Sequence, residues 1–349
     1  MKVWITGGAG YIGSTIAHAF RAQGVSPVVI DDLSAGFGEA PADTTFYRGD
    51  FSDRELLRAI VAKHGCPSVV IHAAALVSAG ASMSQPLAYY QTNVVKTLQL
   101  CRFLIEAGCP RLVVESSAAV YGDSAVPVVD EATPTAPASP YAYSKAALER
   151  MLRDISAAHA LQVVCFRLFN VVGSGNHRRR PRSSTDVLSQ LRNAIEQGGE
   201  FVIHGGDWPT IDGTPLRDFV HVNDVVRAHL SLITRPDWRS GERFEVLNLS
   251  TGVGTTVRQL AQLYMSLSSA PVRIRVSARR PGDIAGFVGD SSRARALLGW
   301  SPQSTLSDVL RTEQQAGRDA STNADVLDVP DRSSRGKKTQ CAPVAHNLD

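Results

Sequence analysis

At 349 residues the chain is long enough for one large or two ordinary domains, and its 44% hydrophobic and 20% charged residues are typical of a globular protein. The net charge of +3 is too small to indicate a nucleic-acid or membrane partner, and no segment is apolar for long enough to be a signal sequence or a membrane span. Five cysteines without a CxxC pair predict neither a disulfide framework nor a metal site, so we expect a reduced, cytoplasmic protein.

The first half of the chain alternates short apolar runs with segments of helical periodicity. Apolar runs bounded by turn residues are typical of buried strands, and apolar residues three and four apart are typical of helices. In chain order we predict strands at 3–6, 28–30, 69–72, 112–115 and 163–168, and helices at 12–23, 55–63, 87–107 and 140–160.

Continuous apolar strands separated by helices predict a parallel sheet covered on both faces, which is a Rossmann-type, doubly wound α/β fold. After Asn170 the pattern breaks, and Gly, Ser, Arg and Pro dominate. We expect a first domain over 1–170, with its sheet completed by parts of 215–250, and a smaller mixed α/β substrate-binding lobe over 171–312. The polar residues 318–349 predict a disordered tail.

Glycines dominate the junction between the first strand and the first helix. They form GxGxxG at Gly8, Gly10 and Gly13, with Gly7 giving a second series of glycines three apart. Such a turn lets a pyrophosphate approach the backbone at a helix N-terminus, where unpaired N–H groups attract phosphate. Asp31 follows about 20 residues on, where a carboxylate accepts ribose hydroxyls and repels a 2′-phosphate. The turn therefore predicts a bound dinucleotide, NAD in preference to NADP.

A tyrosine and a lysine lie four residues apart at the start of the last of these helices. Ser139 is a candidate N-cap and Pro140 suits the first helical position, so Tyr141 and Lys145 share one helical face. A nearby ammonium lowers the pKa of a phenol from about 10, which makes the pair a usable general base. The pattern alone is common at surfaces, but only six of the 36 basic residues are lysines, which favours a required ammonium here. Tyr143 is a rival base, but it is only two residues from the lysine and faces elsewhere.

Ser117 follows the predicted strand at 112–115. In a doubly wound sheet, ligands bind at the carboxyl ends of the strands. The Ser117 hydroxyl is therefore placed to hydrogen-bond a reacting oxygen beside Tyr141, although a serine in an ordinary turn would give the same pattern.

Motifs along the chain resemble the extended short-chain dehydrogenase/reductase family, and within it the UDP-glucose 4-epimerases. The resemblance covers roughly residues 1–312. In the first half its motifs are TGGAGYIG at 6–13, GDF at 49–51, HAAA at 72–75, Asn93, SSAAVYGD at 116–123, SPYAYSK at 139–145 and RLFN at 167–170. In the second half they are GGDWPT at 205–210, DGT at 212–214, RDFVHV at 217–222 and RRPGD at 279–283.

Carried over by position, the resemblance implies three groups of site residues and no metal. The catalytic residues would be Ser117, Tyr141 and Lys145. NAD would be bound by Gly7, Gly10, Tyr11, Ile12, Gly13, Asp31, Asp32, Asp50, Phe51, Ala73, Ala74, Ala75, Asn93, Lys145 and Phe169. The nucleotide sugar would be held by Ser117, Tyr141, Asn170, Arg217, Arg280, Asp283 and Phe287. The resemblance also implies a homodimer formed through the helices at 87–107 and 140–160.

The activity that the resemblance implies is NAD-dependent epimerisation at C4 of a nucleotide-diphosphate hexose, UDP-glucose and UDP-galactose or a related pair. Tyr141 would take the proton of the C4 hydroxyl while NAD takes the hydride and returns it to a transient 4-keto sugar, so that no net oxidation occurs. Arg217 and Arg280 would suit a diphosphate, because guanidinium groups pair with phosphate oxygens. Alternatively, these arginines form structural ion pairs with Asp218 and Asp283.

Several positions depart from the family's pattern. Val77 stands where the family usually has a lysine that reaches toward the cofactor, which leaves open whether NAD is retained through turnover. Leu168 replaces a tyrosine that is common beside the nicotinamide, and TDVL at 185–188 replaces a different segment near the sugar or uridine. Phe287 falls where family members set the room for the sugar's C2 substituent, and its bulk favours a plain hexose.

Three alternatives remain open. A sugar-nucleotide 4,6-dehydratase of the wider family typically carries an Asp-Glu pair after the position of Ser117, where this chain has Ala118 and Ala119. A sugar-nucleotide 4-ketoreductase or dehydrogenase would exchange its cofactor, which the absence of a lysine at Val77 would permit. A non-catalytic NAD-binding regulator is disfavoured by the intact serine, tyrosine and lysine.

Overall fold

The computed structural model describes residues 1–35, 38–41, 44–175, 186–235, 242–268, 271–280 and 282–314. The predicted disordered tail at 318–349 lies outside the described residues, as does Thr185 at the start of the TDVL segment.

The described residues form short strands and helices that alternate through most of the chain. The strands are β1 Val3–Thr6, β2 Val28–Asp31, β3 Thr45–Arg48, β4 Val69–His72, β5 Arg111–Ser117, β6 Val128–Val129, β7 Gln162–Leu168, β8 Asn170–Val172, β9 Glu200–His204, β10 Leu216–His221, β11 Phe244–Leu249, β12 Gly254–Thr256, β13 Arg273–Ser277 and β14 Val288–Gly289. The helices are α1 Tyr11–Ala22, α2 Arg54–His64, α3 Ala79–Ser84, α4 Pro86–Tyr90, α5 Thr97–Glu106, α6 Pro140–Ala158, α7 Val187–Glu196, α8 Val222–Thr234, α9 Val257–Ser268 and α10 Ser292–Leu298. A π-helical segment, Gln91–Lys96, joins α4 to α5, and a 3-10 turn, Ala118–Tyr121, follows β5. None of the described helices has both the length and the apolarity needed to cross a membrane.

Seven parallel strands form the central sheet, in the order β11-β7-β5-β4-β1-β2-β3. The chain winds outward from β1 in one direction to β3 and in the other direction from β4 to β11. This is the doubly wound arrangement, so the predicted fold class is confirmed. Because ligands bind outside the carboxyl ends of the strands where the winding reverses, the crevice above β1 and β4 is the expected site.

Alternate residues of the strands pack on opposite faces of this sheet. Val3 and Ile5 of β1 join a core with α1, α8 and α10, whereas Trp4 between them joins a core with α2, α5 and α6. Strands that are buried on both faces have no side available to water, which explains why they are apolar throughout. The two layers of helices leave the carboxyl edge of the sheet as the accessible part of its centre.

The four cysteines among the described residues are all free. Cys101, Cys109 and Cys165 are buried in the core, and burial raises the pKa of the Cys101 and Cys109 thiols to about 12. These side chains therefore pack as small apolar groups.

Residues after Asn170 contribute both to the central sheet and to smaller ones. β11 pairs with β7, from Phe244 opposite Val163 to Leu249 opposite Leu168. The remaining strands form the sheets β12-β10-β8, β13-β9 and β14-β6. A separate apolar core, which includes Leu191 of α7 and Leu260 of α9, packs beneath them. The division of the chain at residue 170 stays a prediction.

The prediction of one continuous α-helix over 87–107 is wrong, because the π-helical segment interrupts it. A π turn inserts an extra residue, and a period of 3.6 apolar residues gives no sign of such an insertion. The prediction also lacked β3 and α3. β3 is an edge strand without a fully buried residue, so no buried apolar run marks it in the sequence.

A buried ion pair joins the sheet to α6. Arg167 of β7 donates through Nη2 to Glu149 Oε2 at 2.7 Å, and the two side chains are 7% and 8% exposed. The Nε of Arg167 also donates to Glu149 Oε1, which accepts a further hydrogen bond from the Ser116 hydroxyl. The Nη1 of Arg167 donates to the Tyr121 hydroxyl at 2.9 Å. Removing one charge would leave the other without compensation in a site that is more than nine-tenths buried.

We expect Glu149→Gln, which removes the charge and keeps the shape, to lower the free energy of unfolding by about 3 kcal/mol. Urea denaturation followed by circular dichroism measures this change. Asp154→Asn is the matched control on the same helix, because its pair with Arg150 is exposed (76% and 60%) and should change stability by less than about 0.5 kcal/mol. Equal effects of the two substitutions would contradict the role given to the buried pair.

Candidate active site

The glycine-rich turn lies between β1 and α1, with its backbone against the segment that follows β4. Gly7 has a φ of +72°, and a Cβ there would lie 2.5 Å from the backbone nitrogen of Ala74. A Cβ at Gly13 would lie 2.3 Å from the carbonyl oxygen of Gly7. Both positions therefore exclude a side chain. Gly10 is the N-cap of α1 and offers no side chain to cap it, so the first N–H groups of the helix are available to an anion.

A cavity of about 350 Å³ opens beside this turn at the carboxyl edge of the sheet. The predicted cofactor residues Gly7, Gly10, Asp31, Asp32, Phe51, Ala73, Ala74 and Ala75 line it. Its other walls are formed by Ile30, Ser34, Ala35, Gly49, Leu76, Thr92 and Lys96, which the sequence did not indicate. Among the described residues, Tyr11, Ile12, Gly13, Asp50, Asn93, Lys145 and Phe169 are not part of these walls.

The Asp31 carboxylate is held in place at this cavity by the backbone. Its Oδ2 accepts from the backbone nitrogen of Ala9 at 2.9 Å, and its Oδ1 accepts from that of Leu33 at 2.8 Å. Burial raises the pKa of Asp31, and these two hydrogen bonds oppose that rise because they stabilise the charged form. The carboxylate therefore has a fixed orientation at the point where the sequence placed a ribose.

Asn93, which the sequence assigned to the cofactor, uses its amide on the protein. The side chain accepts from the backbone nitrogen of Leu76 at 2.9 Å and donates to the carbonyl oxygen of the same residue at 3.0 Å. It also donates to Ser144 Oγ at 2.9 Å. Asn93 is 1% exposed and therefore ties the cavity wall to α6 from behind.

Tyr11, another residue assigned to the cofactor, also bonds to the protein. Its hydroxyl donates to the carbonyl oxygen of Gly173 at 2.5 Å. Burial raises the pKa of Tyr11 well above its usual value, so the phenol stays protonated and keeps this bond. The bond ties the start of α1 to the end of the segment that contains β8.

The three predicted catalytic residues come together where β5 ends against the first turns of α6. Ser139 caps this helix through its side-chain oxygen, as its sequence position indicates. The Tyr141 phenol is 8% exposed and is hydrogen-bonded with the Ser117 side chain. Tyr143, the rival base, is 54% exposed and faces solvent. The structure thus favours Tyr141 over its neighbour.

Lys145 lies one helical turn further along α6 and is 3% exposed. Its Nζ donates to the carbonyl oxygen of Glu115 at 2.6 Å. Burial lowers the pKa of Lys145 to about 8. Burial also raises the pKa of Tyr141 to about 12, and the hydrogen bond with Ser117 offsets only part of that rise. The expectation of a lowered phenol pKa is therefore wrong in this structure, because desolvation of the phenolate outweighs the stabilising contacts.

A buried carboxylate and imidazole lie beneath the lysine, and the sequence gave no sign of them. Glu115 Oε1 lies 2.6 Å from His229 Nε2, with side chains 8% and 0% exposed. His229 Nδ1 bonds the carbonyl oxygen of Val225 at 2.9 Å and must carry a proton, since a carbonyl only accepts. The charge of Glu115 favours the protonated forms of both Lys145 and Tyr141.

The two arginines assigned to the nucleotide sugar have different surroundings. Arg217 donates through Nη1 to the carbonyl oxygens of Leu216 and Ile284, at 2.7 and 3.2 Å. Arg280 pairs with Asp283 at 3.2 Å, which agrees with the structural alternative for that residue. Burial lowers the pKa of Arg217; Asp283 opposes this effect, and repulsion from Arg280 adds to it.

The alternative pairing of Arg217 with Asp218 is wrong. The Asp218 carboxylate instead accepts from the backbone nitrogens of Thr251 and Gly252, each at 2.9 Å. It is 1% exposed and serves to hold the segment between β11 and β12. Arg217 and Asp218 are adjacent in β10, and adjacent strand residues point to opposite faces. The carboxylate of Asp218 therefore bonds backbone nitrogens and does not pair with Arg217.

Aromatic rings pack next to the predicted catalytic residue Ser117. Phe287 stacks edge to face on Phe169 and Tyr121, with ring centroids 6.0 and 5.7 Å apart. These rings form a small apolar cluster with Ala118. Asn170 follows directly on Phe169 and is exposed at the start of β8. The cluster gives the region beside Ser117 a rigid apolar wall.

The sequence model of the NAD dependent epimerase/dehydratase family matches residues 3–248. Among curated proteins, the UDP-glucose 4-epimerase of Azospirillum brasilense is 38% identical over 86% of this chain and 87% of its own length. That of Halalkalibacterium halodurans is 35% identical over 87% of this chain and 91% of its own length.

Solved structures give the same result. The UDP-glucose 4-epimerase of Stenotrophomonas maltophila, solved with NAD and formylated UDP-arabinopyranose, superimposes with a TM-score of 0.85 at 33% identity, covering 93% of this chain and 99% of that one. The enzyme of Bifidobacterium longum, solved with NAD+ and UDP, gives 0.84 at 29% identity, covering 93% and 99%. The match of a family model to most of the chain, together with these relatives, shows that the chain belongs to the NAD dependent epimerase/dehydratase family.

Proposed function

We propose that this protein is an NAD-dependent isomerase that inverts C4 of a nucleotide-diphosphate hexose, UDP-glucose and UDP-galactose or a related pair. The observation that carries the proposal is the meeting of Ser117, Tyr141 and Lys145 at the end of β5. Curated relatives of similar length are named UDP-glucose 4-epimerases, which supports the same reaction for this chain. The first domain at 1–170 would bind the cofactor and the lobe at 171–312 the sugar nucleotide.

The cofactor cavity has the features that NAD needs. Close packing at Gly7 and Gly13 and the open N-terminus of α1 suit a pyrophosphate. Asp31, fixed by Ala9 and Leu33, suits the hydroxyls of the adenosine ribose and disfavours a 2′-phosphate. When bound, oxidised NAD supplies a hydride acceptor and a positive charge beside the phenol.

Tyr141 would be the base that takes the proton of the C4 hydroxyl and the acid that returns it. With its pKa raised to about 12, the phenol rests protonated, so nearby positive charge is needed to stabilise its phenolate. Lys145 lies on the same helical face and can supply part of that charge. Ser117 would hydrogen-bond the reacting oxygen and hold it at Tyr141. Both side chains sit on rigid elements, which favours a fixed geometry.

The nucleotide diphosphate would lie between Arg217 and Arg280. Arg217 is bonded to neutral carbonyl oxygens, and no carboxylate pairs with it among the described residues. A diphosphate would relieve the repulsion between the two guanidinium groups and could accept from both. Asn170, Asp283 and Phe287 would contact the sugar or its nucleotide from the same side.

We also propose a homodimer, in which α4, the π-helical segment, α5 and α6 pack against a second copy. Leu87, Tyr90, Leu98 and Tyr143 on these elements are 83%, 39%, 47% and 54% exposed. Large apolar side chains grouped on adjacent helices are typical of a surface that is covered in an oligomer. None of these four exposed side chains is among the residues that line the cofactor cavity.

The purified protein should interconvert UDP-glucose and UDP-galactose, or a related pair, without added cofactor, because the hydride that is removed is returned within one turnover. Product formation is followed by chromatography with a panel of sugar nucleotides, with and without NAD. A requirement for stoichiometric NADH would instead identify a 4-ketoreductase, and loss of water from the sugar would identify a dehydratase.

Tyr141→Phe should lower kcat by roughly 10² to 10⁴, the contribution of a positioned acid–base group, and should leave NAD binding intact. Activity assays and NAD titration measure the two effects. Tyr143→Phe is the control on the same helix and should stay close to wild type, since its ring is 54% exposed and phenylalanine keeps the apolar character of the proposed dimer surface. Near-normal turnover of Tyr141→Phe would remove Tyr141 from the mechanism.

The double substitution Leu87→Asp and Leu98→Asp should convert the dimer to a monomer, because it places charges in the apolar surface that the dimer covers. Sedimentation velocity measures the mass in solution. Ile211→Asp, an 85% exposed position elsewhere, is the control and should leave the mass unchanged. A wild-type monomer would contradict the proposed assembly.

A further inference from the structure

A second cavity, of about 540 Å³, lies where the edge strand of the central sheet meets the second half of α6. The edge strand is β11, and no described residue lines both this cavity and the cofactor cavity. Four arginines from separate parts of the chain line it: Arg153 of α6, Arg167 of β7, Arg243 before β11 and Arg293 of α10. The cavity is large enough for a small molecule, and its walls are rich in guanidinium donors.

Two of these arginines have no carboxylate partner among the described residues. The guanidinium of Arg153 lies over the ring of Phe244, 5.0 Å from its centroid. Arg243 donates through Nη1 to the carbonyl oxygen of His159 at 3.3 Å. Both partners are neutral, so they orient the two guanidinium groups without cancelling their charge. Arg153 and Arg243 therefore keep donors and positive charge for an anion.

The other two arginines are paired with carboxylates, but one of them still has donors to offer. Arg293 pairs with Glu245. Arg167 is 5% exposed and uses one N–H of each of its three nitrogens, on Glu149 and on the Tyr121 hydroxyl. A guanidinium has five N–H groups, so one on Nη1 and one on Nη2 have no acceptor among the described residues. Arg167 can therefore donate to an acceptor inside the cavity.

Two carboxylates complete the charged part of the wall. Glu242 is exposed and forms no ion pair with Arg153 or Arg243 within the described part of the chain. Glu131 accepts from the backbone nitrogen of Asn248 at 2.6 Å, and its remaining lone pairs can accept further donors. Asn248 lies five residues beyond Arg243, which is on the order of 15 Å along the strand. The cavity thus has a cationic end and, remote from it, an acceptor.

We propose that this cavity binds a phosphate monoester that carries hydroxyl or amino groups, a sugar phosphate or a mononucleotide. The phosphate lies between Arg153 and Arg243, because guanidinium groups pair with phosphate oxygens. The rest of the ligand follows β11, where Arg167 donates to it and Glu131 accepts from its hydroxyl or amino groups. The inference goes beyond the proposed function and does not depend on it, because no residue assigned to the cofactor, the reaction or the nucleotide sugar lines this cavity.

The test measures the Kd of glucose 1-phosphate, AMP and inorganic phosphate by isothermal titration at saturating NAD, for wild type, Arg153→Met, Arg243→Met and the double variant. We expect at least one ester to bind wild type more tightly than inorganic phosphate does. Each single substitution should weaken that ester roughly three- to tenfold, the range for one exposed charged hydrogen bond. Arg150→Met is the matched control, since Arg150 is on the same helix but pairs with Asp154 and lies outside the cavity walls.

Two further variants separate this cavity from the proposed substrate site and test its far end. Arg280→Met removes a guanidinium from the substrate site and should leave the affinity for the ester unchanged. Glu131→Gln keeps an oxygen for the backbone nitrogen of Asn248 but removes the charge. It should weaken the ester and leave inorganic phosphate unchanged, because phosphate held at the arginines does not reach Glu131.

The ester that binds more tightly identifies the ligand as a sugar phosphate or a nucleotide. No saturable binding of either ester, equal affinities for ester and inorganic phosphate, or an equal loss in Arg150→Met would each overturn the inference. A loss of ester binding in Arg280→Met would also overturn it, since the ester would then occupy the substrate site. A wild-type protein that binds the ester but epimerises no sugar nucleotide would contradict the proposed function and leave this inference standing.

Discussion

The joint between β5 and α6 is the contact on which the site depends. Lys145 donates to the carbonyl oxygen of Glu115, and Glu149, one turn further along the helix, is bonded to the end of the same strand. These bonds set the height and rotation of the helix against the strand. Ser117 and Tyr141 come from different elements and meet for that reason. Buried hydrogen bonds of this kind favour a single arrangement, so the geometry of the site is a property of the packed core.

The features that depend on neighbours along the chain could be predicted from the sequence. The turn at Gly7, the cap at Ser139 and the shared helical face of Tyr141 and Lys145 are of this kind. The π-helical segment could not be predicted, because an inserted residue leaves the apolar residues in place. The pKa of the Tyr141 phenol was predicted with the wrong sign, since its main cause is burial by residues distant in sequence. The ion pair of Asp50, in the loop after β3, with Lys96 of the π-helical segment has the same origin, as the two residues are far apart in the sequence.

The protons of the site are held by buried groups that influence one another. Glu115 lies against His229 and attracts the ammonium of Lys145, while burial keeps the Tyr141 phenol protonated. Charge is thus poorly solvated on both sides of Tyr141. A small change in the charge beside the phenol has a large effect there, because water does not screen it. The Tyr141 phenol therefore stays protonated at rest, and its pKa falls strongly when a cation is brought close.

β11 pairs with β7 in the central sheet although the two strands are far apart in the sequence, and this affects how the chain folds during synthesis. β7 is complete near residue 168, but its partner strand begins at Phe244, opposite Val163. At about 5–20 residues per second, roughly 80 residues take some 4 to 16 s to emerge from a ribosome. Through that interval an apolar strand edge has no partner, and such an edge readily pairs with other chains. The distance along the chain between two adjacent strands therefore sets the period in which the nascent protein is most exposed to aggregation.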